Sequence, residues 1–302
     1  MTLRPYPVEQ IEPEWVYQRE EMGSKTKFWF RRPNDRTRLF KYPHENTGEH
    51  WAEKISAEIA NLLGIPHAKV RLATFQGERG SSSLSFIQGS KRELYHGNQV
   101  LAGALYEYDT TRRFGQSDHN LPYVLGSLDY FFIDPDARKI AKVQLATYLI
   151  LDALIGNTDR HHENWGVVYW PDPTGGFIGD MAPTFDHASS LGRELKDAGG
   201  TKSRTEILRN AGVGRYSEKA RGGIYWESSD ARAPSPLELI RHARNTYPEI
   251  FVPALRRLEK LRPETLKRCI ARIPPDWITD TAQEFAFQLL CYNLSELRKL
   301  VQ

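Results

Sequence analysis

The sequence predicts an α+β fold in two lobes, the first rich in strands and the second mainly helical. Three observations carry the prediction. Residues 14–42 alternate short β-prone runs with strong turn signals. One helical stripe and two more β-prone runs follow, so residues 1–89 read as a small sheet carrying one helix. The remainder, residues 90–302, is dominated by apolar residues at helical spacing.

The elements follow in order. "WVYQ" is a short strand, "EEMGSKTK" a polar turn, and "FWFRR" and "TRLFKYP" are strands joined by the turn "PND". In "GEHWAEKISAEIANLLGIP", Trp51, Ile55, Ile59 and Leu62 recur every three or four residues, which is the helical period. Gly64 and Pro66 end that helix. "AKVRLATF" and "SSLSFI" complete the sheet, and a connector near 85–92 leads on. "PYVLGSLDYFFI" reads as a helix, and "RKIAKVQLATYLILDALIG" is apolar nearly all round, as a central buried helix must be. "WGVVYW" and "GGFIGDMAPTF" are short β runs, whereas 192–235 shows little periodicity and reads as a long mobile loop. Helices then return to the end of the chain in "PLELIRHARNTY", "EIFVPALRRLEKL" and "AQEFAFQLLCYNLSELRKLV".

Composition narrows the function classes. A hydrophobic content of 40 % and a charged content of 26 % are those of a globular protein. A net charge of +3 gives no bulk argument for nucleic acid or an anionic membrane, and direct binding to either is not expected. The two cysteines, Cys269 and Cys291, lack metal-ligand spacing, and with a polar, Pro-containing N-terminus they suit a soluble protein of the reducing cytoplasm. The longest apolar run, 143–155, is too short to cross a bilayer.

The chemistry concentrates in "GNTDRHHENWG", residues 156–166, where the buried helix ends. A loop held there by a rigid scaffold is a good place for reacting groups. Asp159 and Asn164 are five residues apart, and Asp186 in "PTFDHASSLG" lies 22 residues beyond Asn164. A β-hairpin spanning the interval would return Asp186 to the same end of the sheet as Asn164. An Asn amide oxygen and an Asp carboxylate are hard ligands suited to Mg²⁺. Asp159, left off the metal, could take a proton from an attacking hydroxyl, the division of labour used in phosphoryl transfer. The catalytic loop is therefore 156–166 and the metal-binding segment 183–192.

The first lobe supplies a cation. Lys41 sits in a strand between Phe40 and Tyr42, and a lysine so placed needs an anion, either a carboxylate or a nucleotide phosphate. In the turn before it, Gly23 lets the backbone approach a ligand, while Ser24 and Thr26 add hydroxyls. Two acids of the following helix compete to hold Lys41. Glu58 lies near the apolar stripe, whereas Glu53 lies on the small-residue side with Ala57 and Ala60; helical phase slightly favours Glu58. His161 and His162 lack the spacing of a zinc site, and Arg160 is expected to pair with a nearby acid. The basic residues of 192–235 are interleaved with acids, as on a solvated surface.

Taken together, "FKYP", "WAEKISAEIANLLGIP", "NTDRHHEN" and "PTFD" resemble the HipA-like serine/threonine kinases, toxin kinases of bacterial toxin–antitoxin systems. "DRH" followed by Asn is also similar to the phosphoinositide lipid kinases of the broader fold. The likeness runs over roughly residues 15–190 and is most specific in the second lobe. It implies a two-lobed protein-kinase-like fold with ATP between the lobes, Asp159 as catalytic base, and Asn164 and Asp186 on Mg²⁺. It also implies Lys41 on the ATP phosphates and Glu53 as the helix acid, eleven residues before Gly64. The adenine is expected at the connector, against backbone groups near Phe86 and Ile87, and the phosphates at Gly23 and Ser24. The chain starts close to the first kinase strand, so it resembles compact members that carry no extra small domain ahead of it. Family members can silence themselves by phosphorylating a serine in the phosphate-binding turn; Ser24 or Thr26 is the local candidate, and the added charge would repel ATP. The implied acceptor is a Ser or Thr hydroxyl on a protein, such as a translation factor or an aminoacyl-tRNA synthetase, and the implied partner is an antitoxin. The alternatives are a lipid or small-molecule kinase, and a nucleotide-binding module without transfer activity.

Overall fold

Strand alternation and helix caps set the elements in the computed structural model, which describes residues 3–20, 26–87, 91–175 and 177–301. In chain order the first elements are β1 (Val8–Ile11), β2 (Val16–Glu20), β3 (Lys27–Phe30), β4 (Arg38–Lys41), α1 (Glu49–Leu62), β5 (Val70–Phe75) and β6 (Glu78–Leu84). Next come β7 (Glu93–His96), α2 (Gly97–Ala104), α3 (Leu121–Phe131), α4 (Pro135–Ile155), β8 (Gly166–Pro171) and β9 (Phe177–Met181). The last are α5 (Arg204–Arg209), α6 (Val213–Lys219), α7 (Pro236–Thr246), α8 (Pro248–Leu255), α9 (Pro263–Ile270) and α10 (Asp280–Arg298).

The chain divides into two compact units, each assembled from three segments. The first comprises 1–86, 186–213 and 261–291; the second comprises 87–185, 214–260 and 292–302. The single cut expected after residue 89 therefore describes only the first crossing, since later segments return to each unit.

In the first unit, six strands form a sheet in the order β1-β5-β6-β4-β3-β2. β1 runs parallel to β5, and the other pairings are antiparallel. Side chains alternate between faces along each strand, so register decides what meets. Lys41, Ser81 and Leu72 align on one face, and Phe40, Ser82 and Arg71 on the other. The second face buries Ile11, Phe28, Phe30, Phe40 and Ala73, with the Phe28 ring 5.0 Å from Phe40 and 4.7 Å from Phe75. Helix α1 packs on β5 and β6. It buries Trp51, Ile55 and Ile59 but also Glu49, Glu53 and Lys54, so it is covered almost all round.

In the second unit, α4 is the central helix. Asp134 caps its start by accepting from the Ala137 amide at 2.8 Å, and Gly156, at φ +66°, ends it. Its residues from Leu145 to Ile155 are all buried, and it packs on α3, α7 and α8. β8 is the middle strand of the sheet β7-β8-β9. The segment 192–235, expected as one irregular loop, carries α5 and α6 instead. With six and seven residues, these helices make fewer than two turns each, too few to show a period in sequence. Among the described residues, no helix is long and apolar enough to cross a membrane.

Candidate active site

The loop 156–166 starts where Gly156 stops α4, and one arginine organises it. Arg160 is 3 % exposed and makes a two-pronged ion pair with Asp152 on α4, Nε to Oδ2 and Nη2 to Oδ1 both at 2.7 Å. It also donates to the carbonyl oxygens of Asn164 and Phe185 and to Thr184 Oγ1. Asn157 Nδ2 donates to Asp152 at 2.8 Å, and Asn157 Oδ1 accepts from the Asp159 amide at 3.1 Å. The start of α2 closes the far side: the amides of Gly97 and Asn98 donate to the carbonyls of Trp165 and His162. A side chain at Gly97 would collide with the Trp165 ring.

The two histidines face inward. His162 Nδ1 meets Tyr108 Oη at 2.9 Å, and burial lowers its pKa. His161 Nδ1 accepts from the Glu163 amide, so a neutral ring carries its proton on Nε2, 3.9 Å from Asp159 Oδ1. Behind them His119 donates from Nδ1 to the Gly223 carbonyl and accepts at Nε2 from Trp165. Burial pushes its pKa down to about 3, which keeps it neutral.

Against this buried frame Asp159 stands out, its side chain 34 % exposed. It borders a cavity of about 70 Å³ also lined by Arg113, Phe114, Gln116, His161 and Tyr225. Asn164 is buried, and its amide nitrogen donates to the Asp159 carbonyl at 2.7 Å. That bond fixes the amide's orientation and turns Oδ1 away from Asp159, as a cation ligand would require. The β8–β9 hairpin brings Ala182 back to Gly166, N to O at 2.9 Å. Through Arg160 it also ties Thr184 and Phe185 to the loop. Asp186 is the next residue in sequence.

The first unit holds Lys41, Glu53, Phe86 and Asp186, and Ile87 opens the second. Lys41 Nζ lies 3.0 Å from Asp186 Oδ2. Burial opposes its charge, but the Asp186 and Glu53 carboxylates outweigh burial and hold the Lys41 pKa above its usual value. Asp186 takes a positive φ of +58°, an uncommon conformation for a non-glycine residue. Glu53 is 2 % exposed and faces His187 at 3.7 Å, with its Oε2 lacking a hydrogen-bond partner. Glu58 instead pairs with Lys54 one turn away. Of the α1 acids, Glu53 and then Glu49 act on the Lys41 charge, whereas Glu58 pairs with Lys54; helical phase does not separate them, because α1 is buried on nearly every side. Phe86 and Ile87 lie half-buried beyond the end of β6. Gly23 and Ser24 fall outside the described residues; Thr26 is exposed, and its carbonyl accepts from the Tyr42 amide.

The Asn164 amide oxygen and the Asp186 carboxylate are each hard donors of the kind Mg²⁺ takes. Among the described residues, no three His, Cys, Asp or Glu side chains gather as a metal cluster. One amide oxygen and one carboxylate, completed by water and phosphate oxygens, is the coordination Mg²⁺ favours in kinases. Sequence reasoning missed Asp152 as the anchor of the loop. The signal was there, since an acid within an apolar helix needs a partner.

The chain shares its fold with solved kinases. The chain is similar to the proinflammatory kinase CtkA of Helicobacter pylori, at a TM-score of 0.75 and 19 % identity over 98 % of this chain and 97 % of that one. It is also similar to HipA of Shewanella oneidensis, solved with HipB and operator DNA, at a TM-score of 0.58 and 14 % identity over 98 % and 70 % of the two chains. No family model and no curated protein matches the sequence.

Proposed function

We propose that the chain is an ATP- and Mg²⁺-dependent kinase that transfers the γ-phosphate to a Ser or Thr hydroxyl of a protein. The observation that carries this reading is the contrast within 156–166. Asn157, Arg160, His161, His162 and Asn164 are buried and bonded, while the Asp159 carboxylate alone among the proposed reacting groups of the loop is left partly open beside a cavity. Such a carboxylate can accept the hydrogen bond of an incoming hydroxyl and take its proton.

Asn164 and Asp186 would hold the cation, and Lys41, with Glu53 behind it, would hold the phosphates. The backbone at Phe86 and Ile87 would receive the adenine, and the turn at Gly23 and Ser24 would cover the phosphates. When bound, Mg·ATP supplies the transferable phosphoryl group and part of the charge neutralisation. The protein's share is positioning and electrostatics.

HipA was solved with HipB; for this chain we infer a cytoplasmic location, a partner of antitoxin type and a translation-related protein as acceptor. A second reading, a nucleotide-binding module without transfer, draws support from the Lys41–Asp186 pair, in which the proposed metal acid is already engaged. Purified protein incubated with labelled ATP and Mg²⁺ separates the two. Label on the chain or an added protein, absent in Asp159→Asn, supports the kinase. Tight binding of ATP with no transfer to any acceptor supports the module.

A further inference from the structure

The sheet face that carries the Phe28–Phe40 cluster is apolar over one part and charged over another. Register places Glu9, Arg38, Arg71 and Ser82 on this same face. Arg32, just beyond β3, reaches over to them, its guanidinium 5.1 Å from the centre of the Trp15 ring. Glu9 is buried, accepts from Ser82 Oγ at 3.1 Å, and faces Arg32 at 2.7 Å and Arg71 at 3.6 Å.

Glu9 is the buried carboxylate among three guanidiniums, and exposed Asp35 is the other acid beside them. Arg38 is 4 % exposed, and its Nε and Nη1 have no hydrogen-bond partner. Arg32 Nε and Glu9 Oε1 are also buried without a well-formed hydrogen bond. Burial, then the like charge of Arg71, makes the surroundings of Arg38 unfavourable to its own cation. Asp35, the other acid near Arg38, is exposed and accepts from the Arg36 amide at 2.7 Å. Buried guanidiniums are normally paired and hydrogen-bonded, so a cluster this rich in donors is built for an anion.

We propose that this part of the sheet binds a doubly charged oxyanion of the phosphate-monoester class. Arg32 and Arg71 form the rim, with side chains 35 % and 45 % exposed and able to offer forked N–H pairs. Arg38 supplies charge from beneath, and Trp15 closes one side. Three guanidiniums against buried Glu9 and exposed Asp35 leave a net positive cluster, and its several forked donors suit the three terminal oxygens of a phosphate monoester better than the two of a carboxylate or phosphodiester. The site is separate from the kinase reading and uses none of its residues.

The test measures the melting temperature of the full chain at constant ionic strength against inorganic phosphate, sulfate, O-phosphoserine, acetate and dimethyl phosphate. Phosphate, sulfate and O-phosphoserine should raise it, and acetate and dimethyl phosphate should not. Arg71→Gln and Arg32→Gln should each weaken phosphate binding about tenfold; both positions are partly exposed, so the fold should survive. Lys41→Met should leave the phosphate response unchanged, which excludes the proposed nucleotide site as its source. No phosphate response, equal responses to acetate and phosphate, a response unaltered in both arginine variants, or one lost in Lys41→Met would each overturn the proposal.

Discussion

The 156–166 loop of the second unit and the lysine cluster of the first are built on opposite principles. The loop is locked: Arg160 alone ties together α4, the loop's own backbone and the segment ending at Phe185. The cluster around Lys41 rests on charge: its described contacts include a 3.0 Å ion pair to Asp186 and a 3.7 Å approach of Glu53 to His187, with Glu53 Oε2 lacking a hydrogen-bond partner. Preorganisation favours a group that must meet a reacting hydroxyl in fixed geometry. Groups that would exchange a carboxylate for phosphate and metal need contacts they can give up.

Five measurements test this contrast. The largest effect is expected at Asp159. Asp159→Asn should lower phosphate transfer about 10²- to 10⁴-fold in a labelled-ATP assay, with the denaturation midpoint nearly unchanged; transfer at the wild-type rate places the base elsewhere. Next is the lock itself. Asp152→Ala leaves Arg160 buried without its carboxylate and should cost about 3–5 kcal/mol in urea unfolding. A cost within surface-mutation range would show that the loop does not depend on this pair.

In the Lys41 cluster, Asp186→Ala should weaken Mg·ATP binding by about 10- to 100-fold in calorimetry, roughly 1.4–2.7 kcal/mol, while binding without Mg²⁺ changes little. The fourth measurement is a pH series. His119 titrates near 6.5 unfolded and about 3 folded, so the unfolded state takes up the proton first. Its contribution to stability is complete above pH 6.5 and is lost as pH falls toward 3, by at most about 1.4 kcal/mol per pH unit. His119→Gln should flatten that limb of the stability curve, and an unchanged slope would count against a buried neutral His119. The smallest effect separates the two helix acids. Glu58→Gln weakens the pair that compensates buried Lys54 and should cost about 1–2 kcal/mol of stability with ATP affinity intact, whereas Glu53→Gln should weaken ATP binding. The reverse order would return the role to Glu58.

Much of the fold was legible because each lobe announces itself in a local period. The runs "FWFRR" and "RLFK" sit in β3 and β4, and the stripe Trp51–Ile55–Ile59 lies in α1. The apolar run before Gly156 belongs to α4, and its capping signals lie in the sequence. What escaped reading was short or distant. β1, "VEQI", puts charged Glu9 on its buried face and apolar Val8 outside, so its alternation is hidden in sequence, and it is a strand because β5 offers a parallel edge. Arg160 was expected to find an acid, but only the geometry of the α4 terminus selects Asp152.

The sequence by itself determined which residues could carry chemistry. Asp159, Asn164, Asp186 and Lys41 stand out because polar groups are costly or conspicuous beside apolar runs, and a turn, a cap or an alternation is written within a few neighbouring residues. Tertiary structure decided which of these groups meet. It put Lys41 on Asp186, Glu53 beside them and Glu58 on Lys54, and it gathered Arg32, Arg38 and Arg71 around Glu9. Those choices depend on strand register and on segments that return from far along the chain, where pairing is set by packing in space rather than by any spacing in sequence.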